Sequence, residues 1–180
     1  MNVSAAIDLR TYRSDHLDVD FSTVRRVRDI ESPVEEWSVE VRAEDQLGIP
    51  LILARASVHL IPYALLRDDV CELLRASHQS LGPLASDLAG TGTEIPFALF
   101  GEGTGLLVVR TVNVELSYRG HRLGQLIVEA AQSFLLRDGH GLTVLSGYPE
   151  ECGSEPTTGI EAYWARSGFL PYRGFLVRNT

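Results

Sequence analysis

The feature that most constrains the fold is a strand, a bend and a helix that follow one another between residues 106 and 135. Residues 106–114, LLVVRTVNV, are apolar on both faces, which is typical of a strand in the middle of a sheet. The bend, SYRGHRLG at residues 117–124, carries two glycines and two arginines. The helix that follows the bend in the sequence predicts a crossover connection to a second, parallel strand.

The helix has the clearest hydrophobic pattern in the chain. Apolar residues recur three and four positions apart along it, and this spacing predicts one continuous buried stripe that covers a face of the sheet. The residues of the stripe are Leu123, Leu126, Ile127, Ala130, Ala131, Phe134 and Leu135.

The rest of the chain alternates between strands and helices. Residues 37–45 and 51–62 alternate apolar and polar side chains, which predicts an antiparallel hairpin. The remaining predictions are a short helix around 20–30, a helix at 64–88, a strand at 142–149, a short helix at 159–169 and a last strand at 173–179. Since no linker interrupts this series, residues 1–180 are expected to form a single domain of the α/β class.

Composition excludes several functions. The formal net charge of -8 argues against nucleic acid as a partner, because nucleic-acid binding requires a positive face. The chain has no lysine, so a Walker-type phosphate loop, a pyridoxal Schiff base and a lysine general base are impossible. The cysteines and histidines are scattered without metal-ligand spacing, so no metal is expected. Without a long apolar run or a signal-peptide pattern, the expected location is the cytoplasm, away from the membrane.

The bend has the chemistry of a phosphate site. The first turn of a helix leaves N–H groups without partners and carries a partial positive charge. Glycines allow a ligand to approach the backbone closely, and Arg119 or Arg122 can add a permanently charged contact. A pyrophosphate suits this combination, although glycine-rich bends also occur as plain turns that bind nothing.

From residue 106 onward the chain resembles the GCN5-related N-acetyltransferases, the GNAT superfamily. In that family a strand leads into the pattern Val-x-x-x-Tyr-Arg-Gly-x-Gly-x-Gly and then into an amphipathic helix. Arg122 stands here where the family has its middle glycine, and GIEAYWARSGF at 159–169 is similar to the closing helix that ends in Gly-Phe. The residues that match the central pattern are Val114, Tyr118, Arg119, Gly120 and Gly124.

The resemblance implies a GNAT-like α+β fold, in which helices flank a mixed central sheet with a splayed parallel strand pair. It also implies acetyl-CoA as the cosubstrate and no metal. Strands 106–114 and 142–148 would form the splayed pair, with the pantetheine arm along the first strand and the pyrophosphate on the bend. The implied cofactor-binding residues are Val112, Asn113, Val114, Arg119, Gly120, His121, Arg122, Leu123 and Gly124.

The sequence offers alternative residues for the proton donor and for the base of an acetyl transfer. Family members usually place a tyrosine four residues before the glycine of the closing Gly-Phe, and that position holds Trp164 here. The proton donor is therefore Tyr163 or Tyr148. The base is Glu115 or His78, unless water relays the proton of the amine.

Together these observations predict an acetyl-CoA-dependent N-acetyltransferase that acts on a small amine or a peptide amine. The acidic charge balance favours a cationic acceptor. Trp164 in place of tyrosine keeps open a non-catalytic or regulatory module that only binds acyl-CoA, and a structural protein without a cofactor is the third alternative. A homodimer is also kept open, since the family often forms dimers.

Overall fold

The computed structural model describes residues 17–25, 34–45, 47–62, 105–136, 141–145, 158–172 and 175–179. These segments hold seven strands, two α-helices and a short 3₁₀ turn at Leu116–Tyr118. In chain order the elements are β1 (Asp18–Arg25), β2 (Glu35–Glu44), β3 (Pro50–Pro62), β4 (Gly105–Val114), α1 (Leu123–Leu135), β5 (Gly141–Leu145), α2 (Thr158–Ala165), β6 (Leu170–Tyr172) and β7 (Phe175–Asn179).

The strands form one mixed sheet in the order β1-β2-β3-β4-β5-β7-β6. Only β4 and β5 run parallel among the described pairs, with Gly105 opposite Gly141 and Val109 opposite Leu145. Because α1 joins these two strands, the predicted strand–helix–strand crossover is confirmed. The predicted hairpin is confirmed as well, since β2 and β3 pair antiparallel.

The core lies between α1 and one face of β2, β3 and β4. The first five residues of β4 and all five of β5 are buried, as expected for strands in the middle of a sheet. The residues that pack α1 on the sheet share aliphatic side chains; they include Val39, Val41, Ala56, Val58, Leu107, Val109, Ile127, Val128 and Ala131.

The buried face of α1 differs from the predicted stripe at Phe134. This ring is 57% exposed. It stacks on Phe21 of β1 at 4.2 Å between ring centroids and meets Trp37 of β2 edge-on at 6.0 Å. Phe134 therefore packs on aromatic rings at the margin of the sheet, where spacing alone predicted a core residue.

Two glutamines of α1 lie inside the protein, where the hydrophobic pattern did not predict them. Gln125 is 6% exposed and Gln132 is 4% exposed. The Nε2 of Gln132 donates a hydrogen bond to Thr143 Oγ1 in β5, at 2.6 Å. A buried amide that finds such a partner avoids most of the penalty of burial, so polar residues can share the inner face.

Some local predictions were wrong or lie outside the described residues. The short helix expected around 20–30 is contradicted at its start, where β1 extends over Asp18–Arg25. The strand β6 was not predicted, and α2 ends at Ala165, before the expected end at 169. The helix predicted at 64–88 lies outside the described segments. Neither α1 nor α2, nor any other described helix, has the length and apolar character that crossing a membrane requires.

Candidate functional site

The bend between β4 and α1 has an unusual backbone. Gly120 has a φ of 84° and Arg122 a φ of 59°, so two residues separated by one position adopt left-handed conformations. Such a conformation costs a residue with a side chain roughly 1–2 kcal/mol, and Arg122 accepts it where the GNAT pattern has glycine. The helix begins at Leu123, and its first internal hydrogen bond runs from Leu126 N–H to Arg122 C=O at 3.0 Å.

Side chains within the bend hold its shape. Nδ1 of His121 lies 3.2 Å from the Tyr118 carbonyl oxygen and 3.1 Å from that of Arg119. Because both partners are acceptors, Nδ1 carries the proton and donates. Nε of Arg119 donates to the carbonyl oxygen of Val114 at 3.3 Å, which joins the bend to the end of β4. Arg119, His121 and Arg122 are all exposed, so their charged and polar ends face the surface.

The outer half of β4 changes character at Arg110. Ser57 of β3 pairs with Thr111 and Val58 pairs with Val109, so Arg110 is an extra residue that forms a bulge. The described pairing with β5 also ends at Val109. Beyond that point the strand alternates between half-buried and exposed residues up to Val114. The bulge therefore lies where β4 leaves the fully buried part of the sheet.

Tyr163 of α2 reaches the start of α1. Its hydroxyl oxygen accepts a hydrogen bond from the Gln125 backbone N–H at 3.2 Å. A Cβ at Gly124 would lie 3.0 Å from that oxygen and 3.5 Å from Cγ1 of Val112, so the three residues meet at one point. The tyrosine hydroxyl is thus located near the bend and the outer half of β4.

The phenol of Tyr163 keeps its proton. Partial burial raises the pKa of the Tyr163 hydroxyl above its ordinary value, against the opposing effects of the Gln125 and Gly124 backbone N–H groups and the Arg122 charge. Burial raises the pKa of a phenol because it disfavours the charged phenolate. At neutral pH this side chain is therefore a hydrogen-bond donor as well as an acceptor.

Trp164, at the position where the GNAT pattern has tyrosine, belongs to the core. It is 9% exposed, and its ring meets those of Tyr163 and Phe169 edge-on, at 5.0 and 5.6 Å between centroids. The guanidinium of Arg178 lies over the Phe169 ring at 5.0 Å, and its Nη1 donates to the carbonyl oxygen of Ser167 at 2.6 Å. These contacts fix the C-terminal end of α2 against β7.

The other predicted site residues are spread over the same region. Glu115 is exposed directly after β4, and its N–H donates to the Leu53 carbonyl oxygen at 3.0 Å. Asn113 is exposed on the outer half of β4. Leu123 is 3% exposed and its side chain packs in the core, so only its backbone is available to a ligand. Tyr148 and His78 lie outside the described residues.

Gln125 is a residue of the site that sequence reasoning missed. Its side-chain Nε2 donates to the carbonyl oxygen of Tyr163 at 2.8 Å, in addition to the bond between its N–H and the tyrosine hydroxyl. The only signal in the sequence is a polar residue within the first turn of an apolar helix, and that signal is common at helix starts. In the described segments, no group of three or more His, Cys, Asp or Glu side chains is placed to hold a metal ion.

Comparison with known proteins adds little to this geometry. The chain matches no protein-family model and no curated protein. Among solved structures it is similar to the crystal structure of a tyrosine-to-phenylalanine mutant of KacT, with a TM-score of 0.43 and 10% sequence identity over 92% of this chain and 95% of that chain.

Proposed function

We propose that the protein is an acetyl-CoA-dependent N-acetyltransferase that acts on a small amine or a peptide amine. The observation that carries the proposal is the bend, where left-handed residues at Gly120 and Arg122 lead directly into the N-terminus of α1. These left-handed residues lie within the sequence motif that resembles the GNAT superfamily.

The bend suits the diphosphate of coenzyme A. The Gln125 N–H donates to the Tyr163 hydroxyl, so the donors for an anion would be the N–H groups that precede it at the start of α1, where the helix dipole also favours negative charge. A Cβ at Gly120 would meet no described atom within 4 Å, so none of the described residues fills the space beside this glycine. The exposed guanidinium groups of Arg119 and Arg122 can each add a charged contact to a phosphate.

The outer half of β4 suits an extended ligand. Its residues 111–114 pair with β3 on one side, and the described pairing with β5 stops before them. An extended arm could add to this part of β4 through backbone hydrogen bonds, as a peptide adds to a sheet. Val112, Asn113 and Val114 would hold the pantetheine arm in this way, and the bulge at Arg110 would orient a backbone N–H toward the carbonyl group of the thioester.

Tyr163 supports the chemical step. When bound, acetyl-CoA supplies an acetyl group on a thioester. Tyr163 would supply the proton that the departing sulfur takes when an amine nitrogen bonds to the thioester carbon and the carbon–sulfur bond breaks, and the phenolate would regain a proton from water. The raised pKa of this phenol means that it carries that proton at neutral pH. Glu115, His78 or water takes the proton that the amine loses, and Tyr148 is the alternative donor.

A second candidate function follows from Trp164. Because the usual tyrosine position holds a buried tryptophan, a module that binds acyl-CoA without transferring the acyl group is also supported. Both candidate functions predict binding of acyl-CoA, and only the enzyme predicts transfer of the acyl group. Only the enzyme releases free thiol from acetyl-CoA at a rate that depends on an amine.

The experiment that tests the proposal is thiol release. The protein is mixed with acetyl-CoA and a panel of amines that includes diamines, amino sugars and peptides with a free N-terminus, and free thiol is measured with a chromogenic disulfide. Amine-dependent release above the no-enzyme control is expected, and Gly120→Ala is expected to lower it. Binding of CoA without any amine-dependent release would replace the enzyme with the binding module.

A further inference from the structure

Gln125 and Tyr163 satisfy each other's unpaired backbone groups. Gln125 is the third residue of α1, so its N–H has no acceptor within that helix, and it donates to the Tyr163 hydroxyl at 3.2 Å. Tyr163 is the third-last residue of α2, so its carbonyl has no donor within that helix, and it accepts from Gln125 Nε2 at 2.8 Å. One buried glutamine thus joins the beginning of one helix to the end of the other.

This pair of bonds connects Tyr163 to the start of α1. The residues that follow α2 form a tight turn, since Ser167 N–H and Phe169 N–H both donate to the Trp164 carbonyl oxygen, at 2.9 and 3.3 Å. The Ser167 carbonyl is held by Arg178 at 2.6 Å. The C-terminal end of α2 is therefore fixed against β7, and the bonds to Gln125 connect Tyr163 to α1.

The contact also directs the hydroxyl proton. Because a phenol oxygen that accepts the Gln125 N–H still has its own proton to donate, that proton points away from the helix amide. The oxygen lies 3.0 Å from the position of a Gly124 Cβ, and Cγ1 of Val112 lies 3.5 Å from the same position. Within the described part of the chain, the phenol oxygen therefore lies near the bend and the outer half of β4.

We propose that Gln125 is a positioning residue that holds the Tyr163 phenol as a hydrogen-bond and proton donor beside the bend. The contact between Gln125 and Tyr163 is independent of the proposed function. Only the role of this contact in proton transfer rests on the proposed function. Gln132 gives a matched control, since it is the other buried glutamine of α1 and donates its Nε2 to Thr143 Oγ1, away from Tyr163.

The positioning can be tested without turnover. Tyrosines labelled with ¹³C at Cζ are titrated by NMR, and the Tyr163 signal is identified as the one lost in Tyr163→Phe. In the wild type its pKa is expected above the ordinary tyrosine value, because partial burial of the phenol disfavours the phenolate and outweighs the opposing effects of the Gln125 N–H and the Arg122 charge. In Gln125→Met the pKa is expected to fall toward the ordinary value as the phenol leaves its place, whereas in Gln132→Met it stays as in the wild type. An unchanged pKa in Gln125→Met overturns the proposal.

A second measurement covers the case in which Gln125→Met does not fold. Hydrogen exchange of the Gln125 backbone N–H is compared between the wild type and Tyr163→Phe. Loss of the acceptor is expected to speed exchange of this amide by roughly tenfold or more relative to its neighbours in α1, since a protecting hydrogen bond is removed. Equal exchange in the two proteins means that the hydroxyl does not hold this amide, which also overturns the proposal.

The catalytic part is tested by a double-mutant cycle once an acceptor amine is known. Gln125→Met is expected to lower kcat about tenfold in the wild-type background and less than about twofold in the Tyr163→Phe background, because its effect acts through the phenol. The Kd for CoA is expected to change less than about twofold. Equal losses of kcat in both backgrounds indicate a purely structural glutamine and contradict the proposal. Failure of the wild type to bind CoA would instead refute the proposed function and leave the NMR result standing.

Discussion

Replacing Gly120 with alanine tests the conformation of the bend. A Cβ added there meets no described atom within 4 Å, so the substitution introduces no steric clash with them. Its effect on stability comes from φ alone, which is 84° at this residue. The left-handed conformation costs an alanine about 1–2 kcal/mol, and the lower entropy of the unfolded chain returns about 0.4–1 kcal/mol. Gly120→Ala is therefore expected to destabilise the protein by about 1 kcal/mol, which lowers Tm by about 2–4 °C in a chain of this size.

Gly159 is the matched control for this substitution. It lies in α2, and a Cβ there also meets no described atom within 4 Å, but its φ is not left-handed. Since alanine is the better helix former, Gly159→Ala is expected to stabilise the protein by up to about 1 kcal/mol. Urea unfolding followed by circular dichroism measures both variants. The reasoning is refuted if the two substitutions shift the midpoint in the same direction by similar amounts.

Three further substitutions have defined outcomes. Gly124→Ala places a Cβ 3.0 Å from the Tyr163 hydroxyl and pushes it off the Gln125 N–H, so a net loss of about 1 kcal/mol in urea unfolding is expected, and a gain would contradict the contact. The hydrogen bond from Arg42 lowers the pKa of Glu40 against the opposing effect of burial. The ionised Glu40 carboxylate therefore stabilises the fold at pH values above the pKa that Glu40 has in the unfolded chain. This stabilisation is lost as the pH falls through the lower pKa of Glu40 in the folded protein. In Glu40→Gln, the free energy of unfolding is expected to fall less steeply with decreasing pH in the acidic range. An unchanged pH dependence would show that Glu40 does not contribute to it. Phe169→Ala removes a ring that is 1% exposed and is expected to cost about 3–5 kcal/mol, measured by the denaturant midpoint, whereas a cost under about 1 kcal/mol would place the ring outside the core.

Hydrophobic spacing predicted the centre of the fold well. The strand at 106–114, the helix at 123–135 and the parallel strand after it are all present, because each is long, buried and strongly patterned. The strand β1 was missed because its alternation of Val19 and Phe21 with acidic residues is short and lies in a charged stretch. Local pattern is a poor guide where tertiary pairing, here with β2, decides between helix and strand.

The candidate site was predictable only in part. The bend could be located from its glycines and arginines, but the left-handed φ of Arg122 could not, since an arginine gives no signal for it. The orientation of Tyr163 depends on the rotation of α2, which is accompanied by the bond from Gln125 to the Tyr163 carbonyl and by the absence of a Cβ at Gly124. Such contacts join residues 38 positions apart, and no spacing rule within one helix predicts them.

The central claim is that the bend between β4 and α1 holds the diphosphate of coenzyme A. The most direct measurement is isothermal titration calorimetry of CoA, in parallel with pantetheine, which lacks both the diphosphate and the nucleotide. The account predicts a saturating heat with CoA, weaker binding in Gly120→Ala, and little or no heat with pantetheine at the same concentrations. No heat with CoA at large excess, or equal affinity for CoA and pantetheine, would contradict it.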